Sequence, residues 1–298
     1  MIIITGQTAT GKTKLALELA KKHNGELINF DSRQIYKYLD IITGKDFPPR
    51  SSRANPERVK RVEGEVEGSS VWLYDIVTPD QYFSSFDFVT KVKPIIKDII
   101  KRGKEPILVG GTYFYLKHLL YGFDIDPVPA NLKLREKLNK KSVEELQNIL
   151  NKLDVQSINR LNNSDRNNPR RLIRRIEIIK SNQKGTGVKG SDPKRPVPNQ
   201  FIGIKYKDKN DLIKAIKIRV NKRLKQGAIE EVRSLLKKGY KETDSGMKTI
   251  GYQEIIQHLK GKITKQQAIE QWTNHEIQYA KRQLTFMKKD KNISWREI

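Results

Sequence analysis

The stretch GQTATGKT, residues 6–13, follows the apolar run of residues 1–4 with one threonine between them. Its two glycines, five residues apart, are followed by lysine and threonine, which gives the pattern GxxxxGK and then Ser or Thr. In a turn between a strand and a helix, this pattern cradles phosphates with backbone N–H groups, and the lysine reaches the outer phosphate. The predicted phosphate-binding loop comprises Gly6, Gln7, Thr8, Ala9, Thr10, Gly11, Lys12 and Thr13.

This loop predicts a diphosphate or triphosphate site, and most chains that carry it act on a nucleoside triphosphate such as ATP. The hydroxyl of Thr13 is placed to bind Mg²⁺ or a phosphate oxygen, and Mg²⁺ is therefore the predicted cofactor. The loop alone does not identify whose phosphates it holds.

The segments on either side of the loop predict an α/β fold. Strands are expected at residues 2–5, 26–30, 71–76, 106–109 and 201–206, and helices at 12–23 and 86–103. This alternation is typical of a P-loop NTPase-like parallel sheet flanked by helices. Ligands of such sheets bind at the carboxyl ends of the strands, where Gly6, Asp31 and Gly110 fall.

We predict a chain in three parts. Residues 1–130 form the first part of the α/β core, 131–166 a small helical insertion domain, and 167–298 the remainder of the core with basic helices. Within the insertion, Ser142 and Glu145 are spaced as a capping box for a helix over 142–153. Residues 181–200 are rich in Gly, Pro, Ser and Lys and predict an exposed loop.

The charge of the chain indicates a polyanionic partner. Among 298 residues, 59 Lys and Arg oppose 34 Asp and Glu, a formal charge of +25. Such an excess favours binding to phosphates, although an A+T-rich genome would also enrich lysine. The chain lacks cysteine, which excludes disulfides and thiolate chemistry. It also has no long apolar stretch and no leader pattern, so we expect a cytoplasmic protein without a membrane span.

Asp31 ends an apolar strand and has three possible roles from its local sequence. It could organise a metal ion, act as a general base, or cap the structure that follows. The neighbouring residues DSRQIYKYLDIITGKD, 31–46, are too specific in composition for an ordinary cap.

Several motifs in register resemble the tRNA dimethylallyltransferases, the bacterial-type tRNA isopentenyltransferases. The 31–46 segment is similar to that family's DS-x-Q-x-Y…D-I-x-T-x-K motif, and RGKEPILVGGTYFYLKHLLYG, 102–122, to its R-G-K-x-P-I-L-V-G-G-T-G-L-Y motif. Further matches are YDIVTPDQYFSSFDF at 74–88, NNPRRLIRRIEII at 167–179, IRVNKRLKQGAIEEVRSLL at 218–236 and IGYQE with AKRQLTF within 250–295.

The resemblance implies that the loop holds the diphosphate of dimethylallyl diphosphate. The dimethylallyl group would go to the exocyclic N6 amine of the adenosine 3′-adjacent to the anticodon, and diphosphate would leave. Asp31 would accept the amine proton, Thr112 would lie near the bridging oxygen and the adenine, and Arg223, or Arg219 as the alternative, would stabilise the leaving group.

The resemblance also implies a tRNA surface, bound at the anticodon stem-loop by a monomeric protein. The expected contacts are Asp31, Ser32, Arg33, Gln34, Thr112, Arg135, Arg170, Arg171, Arg174, Gly251, Tyr252, Lys281, Arg282 and Gln283. The alternative for the arginine run at 170–175 is a solvated helix face.

The sequence departs from the family pattern at several positions. Tyr113 replaces the usual glycine after GGT, Asn168 and Arg170 replace Asp and Gln, and Phe286 replaces Trp. Three other functions stay open: prenyl transfer to free adenine nucleotides, a P-loop ATPase or kinase acting on RNA, and a non-catalytic RNA-binding protein.

Overall fold

A computed structural model describes residues 1–45, 71–122, 128, 130–183 and 196–298. The strands are β1 (Ile2–Gly6), β2 (Gly25–Asn29), β3 (Val71–Trp72), β4 (Glu105–Val109), β5 (Gln200–Lys205) and β6 (Ser294–Glu297). The helices are α1 (Lys12–Lys22), α2 (Ser85–Lys101), α3 (Tyr113–Tyr121), α4 (Leu132–Leu138), α5 (Val143–Leu153), α6 (Val155–Asn159), α7 (Asn163–Arg166), α8 (Pro169–Gln183), α9 (Lys209–Lys225), α10 (Ala228–Lys237), α11 (Tyr252–Leu259) and α12 (Lys265–Met287).

The strands form one parallel sheet in the order β3-β2-β4-β1-β5-β6. Strands β1 and β2 are buried along their whole length, as apolar strands covered on both faces must be. Because all strands run the same way, the turns after β1, β2 and β4 meet at one edge. We call it the carboxyl edge. The expected α/β fold with a parallel sheet is confirmed.

The core of this sheet is aliphatic and comes from both strands and α1. Ile4, Leu27 and Ile107 are fully or almost fully buried, and Ala16 and Ala20 of α1 pack on them. The small alanines allow α1 to approach the sheet closely, which fixes the helix directly behind the phosphate-binding loop.

Two compact units divide the chain, one of Met1–Leu120 with Pro196–Ile298 and one of Tyr121–Arg195. The second, here called the helical unit, extends beyond the 131–166 insertion expected from the sequence. It includes α8, which the sequence prediction assigned to the core, because Leu172 and Ile176 of α8 pack on Leu146 and Leu150 of α5. The capping box of Ser142 and Glu145 is confirmed at the start of α5.

Two further segments differ from the sequence prediction. The strand expected over 71–76 ends at Trp72, because Leu73 and Asp75 adopt positive φ angles of 67° and 53° and leave the ladder. Strand β6 at the sheet edge was not predicted. Most of the loop expected over 181–200 lies outside the described residues. Across the described ranges, no helix is both long and apolar enough to span a membrane.

Candidate active site

The phosphate-binding loop leaves β1 through Gly6, whose φ is 141°. A Cβ atom there would lie 2.1 Å from the carbonyl oxygen of Ile204, so only glycine fits. The buried Gln7 ties the loop to the next strand, since its Oε1 accepts the Tyr206 N–H at 3.1 Å. The Tyr206 hydroxyl donates to the carbonyl of Ala9 at 2.6 Å. The loop is therefore held in shape from β5.

Lys12 begins α1 and folds its side chain back into the loop. Its Nζ donates to the carbonyl of Gln7 at 2.5 Å. Burial of the ammonium and the charge of Arg219 lower the pKa of Lys12 to about 7, while Asp31 acts in the opposite direction. An anion that enters the loop would therefore stabilise the charged form of Lys12.

Two arginines one turn apart on α9 have different partners. Arg219, the sequence alternative, donates to the Thr8 hydroxyl of the loop at 2.5 Å. Arg223, the first choice from the sequence, is buried and pairs with the buried Glu276 at 3.1 Å. Of the two, Arg219 is therefore the one that contacts the phosphate-binding loop.

The turns after β2 and β4 bring Asp31 and Thr112 to the same edge. The Thr112 hydroxyl accepts the Ser32 N–H at 2.9 Å and donates to the Ser32 hydroxyl at 3.1 Å. Asp31 uses Oδ1 to accept the Arg33 N–H at 2.9 Å, which is the capping role considered for it. Its Oδ2 faces Gly111, at 3.4 Å from where a Cβ atom would stand, and stays available for other chemistry.

Helix α12 joins the phosphate-binding loop to the turn that follows β4. Gln283 is buried, accepts the Thr8 N–H at 3.3 Å and donates to the Gly111 carbonyl at 2.9 Å. One helical turn earlier, Tyr279 lies close to Thr112, to Gln283 and to the Asp31 carboxylate. Burial, and secondarily the nearby Asp31 carboxylate, raises the pKa of Tyr279 to about 12, so this phenol keeps its proton. The sequence prediction missed the role of Tyr279, although its spacing of four from Gln283 places both on one helix face.

The family model described as IPP transferase matches residues 34–290. The chain belongs to the IPP transferase family. The expected resemblance and the enzyme class, a prenyltransferase, are thereby confirmed.

Curated relatives of this IPP transferase are named tRNA dimethylallyltransferase. One from Thermoanaerobacter sp. is 35% identical over 306 residues, covering 99% of this chain and 90% of the relative. Another from Clostridioides difficile is 36% identical over 306 residues, covering 100% of this chain and 91% of the relative.

Solved structures are similar over the same length. The full-length tRNA isopentenylpyrophosphate transferase from Bacillus halodurans matches with a TM-score of 0.67 and 32% identity, covering 99% of this chain and 89% of that one. A eukaryotic dimethylallyltransferase described as acting on tRNA matches with a TM-score of 0.75 and 26% identity, covering 100% of this chain and 73% of that one.

In this IPP transferase, the half-buried carboxylate of Glu231 holds the segment 31–45 in place. Glu231 accepts the N–H groups of Asp40, Ile41 and Ile42 at 2.9, 2.7 and 3.2 Å. It also accepts the Tyr252 hydroxyl at 2.5 Å. Burial raises the pKa of Glu231, and these donors oppose the rise. Tyr252, predicted to contact tRNA, is thus buried in the protein core.

Gly251 and Gln34, also predicted to contact tRNA, help to hold the 31–45 segment in place. Gly251 has a φ of 93°, and a Cβ there would lie 2.6 Å from Ile42, so this glycine is required by packing. Gln34 donates from Nε2 to the carbonyls of Thr43 at 3.2 Å and Gly44 at 2.9 Å. These contacts fix the conformation of the 31–45 segment, in which Arg33 lies two residues after Asp31.

The remaining predicted contacts divide into paired and exposed residues. In the helical unit, Arg135 and Arg174 both donate to the buried Glu177, at 2.7 and 2.5 Å. Arg171 forms an ion pair with Asp165. The exposed residues are Arg170 in α8 and Lys281 and Arg282 in α12.

Proposed function

We propose that the protein transfers a dimethylallyl group from dimethylallyl diphosphate to the N6 amine of the adenosine 3′-adjacent to the anticodon of tRNA. One observation carries this proposal. Through Gln283, α12 links the phosphate-binding loop directly to the turn after β4, where Thr112 hydrogen-bonds with Ser32 next to Asp31. A diphosphate site and a carboxylate proton acceptor therefore lie in one hydrogen-bonded network, as transfer from a diphosphate to an amine requires.

The loop side of this network supports departure of the diphosphate. The allylic C–O bond weakens only if fixed positive charge meets the leaving oxygen atoms. Lys12, the loop N–H groups and Arg219 supply that charge around Thr8. We therefore assign to Arg219 the role that the resemblance gave first to Arg223, whose guanidinium is already paired with Glu276.

The other side supports attack by the amine. An adenine N6 lone pair is delocalised into the ring, so the amine needs a proton acceptor as the new C–N bond forms. Asp31 is that acceptor through Oδ2, while Thr112 and Tyr279 orient the base. In balance, the C–N bond forms, the C–O bond breaks, the proton goes to Asp31 and diphosphate leaves.

A divalent cation fits the donor set around the loop. Thr13, at the start of α1, offers a hydroxyl, and diphosphate oxygens provide the further hard ligands that Mg²⁺ prefers. The described ranges hold no cluster of three or more His, Asp or Glu suited to a metal, which fits an ion held largely by its substrate and water. Mg²⁺, once bound, would neutralise charge on the leaving group.

The basic charge of the chain supports an RNA substrate. The target adenosine must leave the stacked loop to reach Asp31, as in other enzymes that modify bases. Lys281 and Arg282 directly precede Gln283 in α12 and are exposed. Their charges are suited to bind phosphates near the flipped nucleotide.

A transfer assay tests this function. Protein, Mg²⁺ and labelled dimethylallyl diphosphate are incubated with unmodified tRNA, with AMP, or with ATP and no prenyl donor. We expect label in tRNA only, and an Asp31→Asn variant should transfer about 10²-fold more slowly. The exposed Asp98→Asn variant is the matched control. Label in AMP, or ATP hydrolysis without transfer, would overturn the proposal.

A further inference from the structure

Tyr38 and Tyr240 form a pair of neighbouring tyrosines, of which Tyr38 is exposed and Tyr240 half-buried. The rings of Tyr38 and Tyr240 have centroids 6.4 Å apart and are inclined at 36°. The ammonium of Lys238 lies 4.2 Å from the centroid of the Tyr38 ring, within the range of a cation–π interaction. Tyr38 remains 38% exposed. We call Tyr38, Lys238 and Tyr240 the tyrosine platform.

The backbone at Tyr38 is held in a conformation that large residues rarely adopt. Its φ is 68°, in the left-handed region. The neighbours explain why: Tyr36 and Leu39 are buried, and the Lys37 N–H donates to the Val77 carbonyl at 2.8 Å. The chain turns at Tyr38 and leaves its ring at the surface. An aromatic side chain kept exposed in a strained backbone indicates a contact outside the fold.

The platform shares two segments with the active site. Tyr38 lies on the 31–45 segment, which starts at Asp31. Arg33, two residues after Asp31, donates to the carbonyl of Ser245, in the loop that also carries Tyr240, at 3.4 Å. The platform and Asp31 are therefore connected through the 31–45 segment and through the hydrogen bond from Arg33 to Ser245.

The charges around the rings are mixed, with an excess of lysine. Burial raises the pKa of Tyr240, and the nearby Asp80 and Asp244 add to the rise. Asp244 is already engaged, because it accepts the Lys241 N–H at 2.7 Å. Lys238 is exposed and lies on the Tyr38 ring, so the platform offers an aromatic face with a cation directly beside it.

We propose that the tyrosine platform is a stacking site for an unpaired base of the RNA loop that carries the target adenosine. Unstacked loop bases are bound on aromatic faces, with cations placed for the adjoining phosphates. Lys238 lies over the Tyr38 ring, and the 38% of Tyr38 that remains exposed offers area for the base. This inference rests on the proposed function and adds a second RNA-contacting surface to it.

Substitutions at Tyr38 separate stacking from folding. Binding of a fluorescent anticodon stem-loop RNA is measured by anisotropy, together with KM for tRNA and for dimethylallyl diphosphate. In Tyr38→Gly, RNA affinity should fall about tenfold with the KM of the diphosphate unchanged. Its melting temperature should not fall, because glycine accepts the positive φ. Tyr38→Phe keeps the ring and should bind nearly as the wild type does.

Two adjacent lysines provide a matched charge control. Lys237 and Lys238 are both exposed, and Lys238 is the one over the ring. Lys238→Gln should weaken RNA binding a few-fold more than Lys237→Gln. Equal effects of the two lysines, or unchanged RNA affinity in Tyr38→Gly, would overturn the platform. A wild-type protein without transfer activity would instead overturn the proposed function, and the binding series would still decide the platform.

Discussion

Arginine side chains collect in two regions of the molecule, the carboxyl edge of the sheet and the helical unit. At the edge, Arg219 donates to the neutral hydroxyl of Thr8. In the helical unit, Arg135 and Arg174 both contact the buried carboxylate of Glu177. From sequence, Arg219 was the alternative candidate for the leaving group, and Arg135 and Arg174 were expected to contact tRNA.

The difference shows that the groups an arginine contacts in the structure indicate its function better than the sequence motif in which it lies. A guanidinium beside a hydroxyl keeps its net charge for an incoming anion. A guanidinium paired with a buried carboxylate compensates a charge that would otherwise be costly to bury. The carboxyl edge is therefore suited to bind an anion. The ion pairs of the helical unit stabilise the fold of that unit.

The largest effect is expected at Lys12. Lys12→Met removes the ammonium that lies inside the loop, and transfer should slow roughly 10³-fold with little change in melting temperature. Lys14→Met, on the exposed side of the same helix, is the control and should retain activity. Initial rates at saturating tRNA measure both. Equal losses in the two variants would contradict a specific role for the loop lysine.

The next effect separates the two arginines of α9. Arg219→Gln should slow transfer roughly 10²-fold at unchanged stability, because it removes charge from the leaving group. Arg223→Gln should lower the free energy of unfolding by about 3 kcal/mol, because it removes the buried guanidinium that is hydrogen-bonded to the buried Glu276. Denaturant unfolding and initial rates give both quantities. Equal losses in the free energy of unfolding for Arg219→Gln and Arg223→Gln would contradict the different roles given to the two arginines.

A third prediction addresses the helical unit and its acid sensitivity. Burial alone would raise the pKa of Glu177, but hydrogen bonds from Arg135 and Arg174 prevail and lower it. A carboxylate with a lowered folded-state pKa stabilises the fold above its unfolded pKa, and that stability is lost as pH falls through the folded value.

Glu177→Gln should therefore destabilise the protein by about 2 kcal/mol at pH 7 and flatten the loss of stability in acid. Urea unfolding from pH 7 down to pH 3 measures this. The variant Glu145→Gln, at an exposed carboxylate of the same unit, is the control. A variant of Glu177 that keeps the acid dependence of the wild type would show that this cluster does not set it.

The smallest effect concerns protons taken up when diphosphate binds. With its pKa lowered to about 7, Lys12 is partly neutral above that pH and should regain a proton when an anion enters the loop. Calorimetric titration with inorganic diphosphate in buffers of different ionisation enthalpy should show greater proton uptake at pH 8 than at pH 6. Lys12→Met should abolish the difference. Equal uptake in the variant would assign the proton to another group.

The sequence predicted the fold and the edge of the sheet at which Gly6, Asp31 and Gly110 lie, for identifiable reasons. The loop at 6–13 has a backbone geometry that its glycines require, and the strands on either side are uniformly apolar. Asp31 follows one of these strands, so the edge could be located before any coordinates. The short β6 was missed because four residues at a sheet edge carry little periodicity.

The residues assigned to the leaving group and to RNA were harder to place from sequence. Arg223 and Tyr252 are buried against Glu276 and Glu231, contacts that join residues far apart in the chain. Periodicity does not reveal such a pairing, since a buried arginine and an exposed one occupy equivalent positions in a helical pattern. Arg219, the alternative from the sequence, is favoured over Arg223 by its hydrogen bond to Thr8.

The most direct test of the central claim is the balance between diphosphate release and prenyl incorporation. In one reaction with tRNA, Mg²⁺ and labelled dimethylallyl diphosphate, both products are quantified over time. The account predicts equal molar amounts of diphosphate and of label in tRNA, with both reduced in parallel in Lys12→Met and Asp31→Asn. Phosphate released from added ATP without any label in tRNA would contradict it.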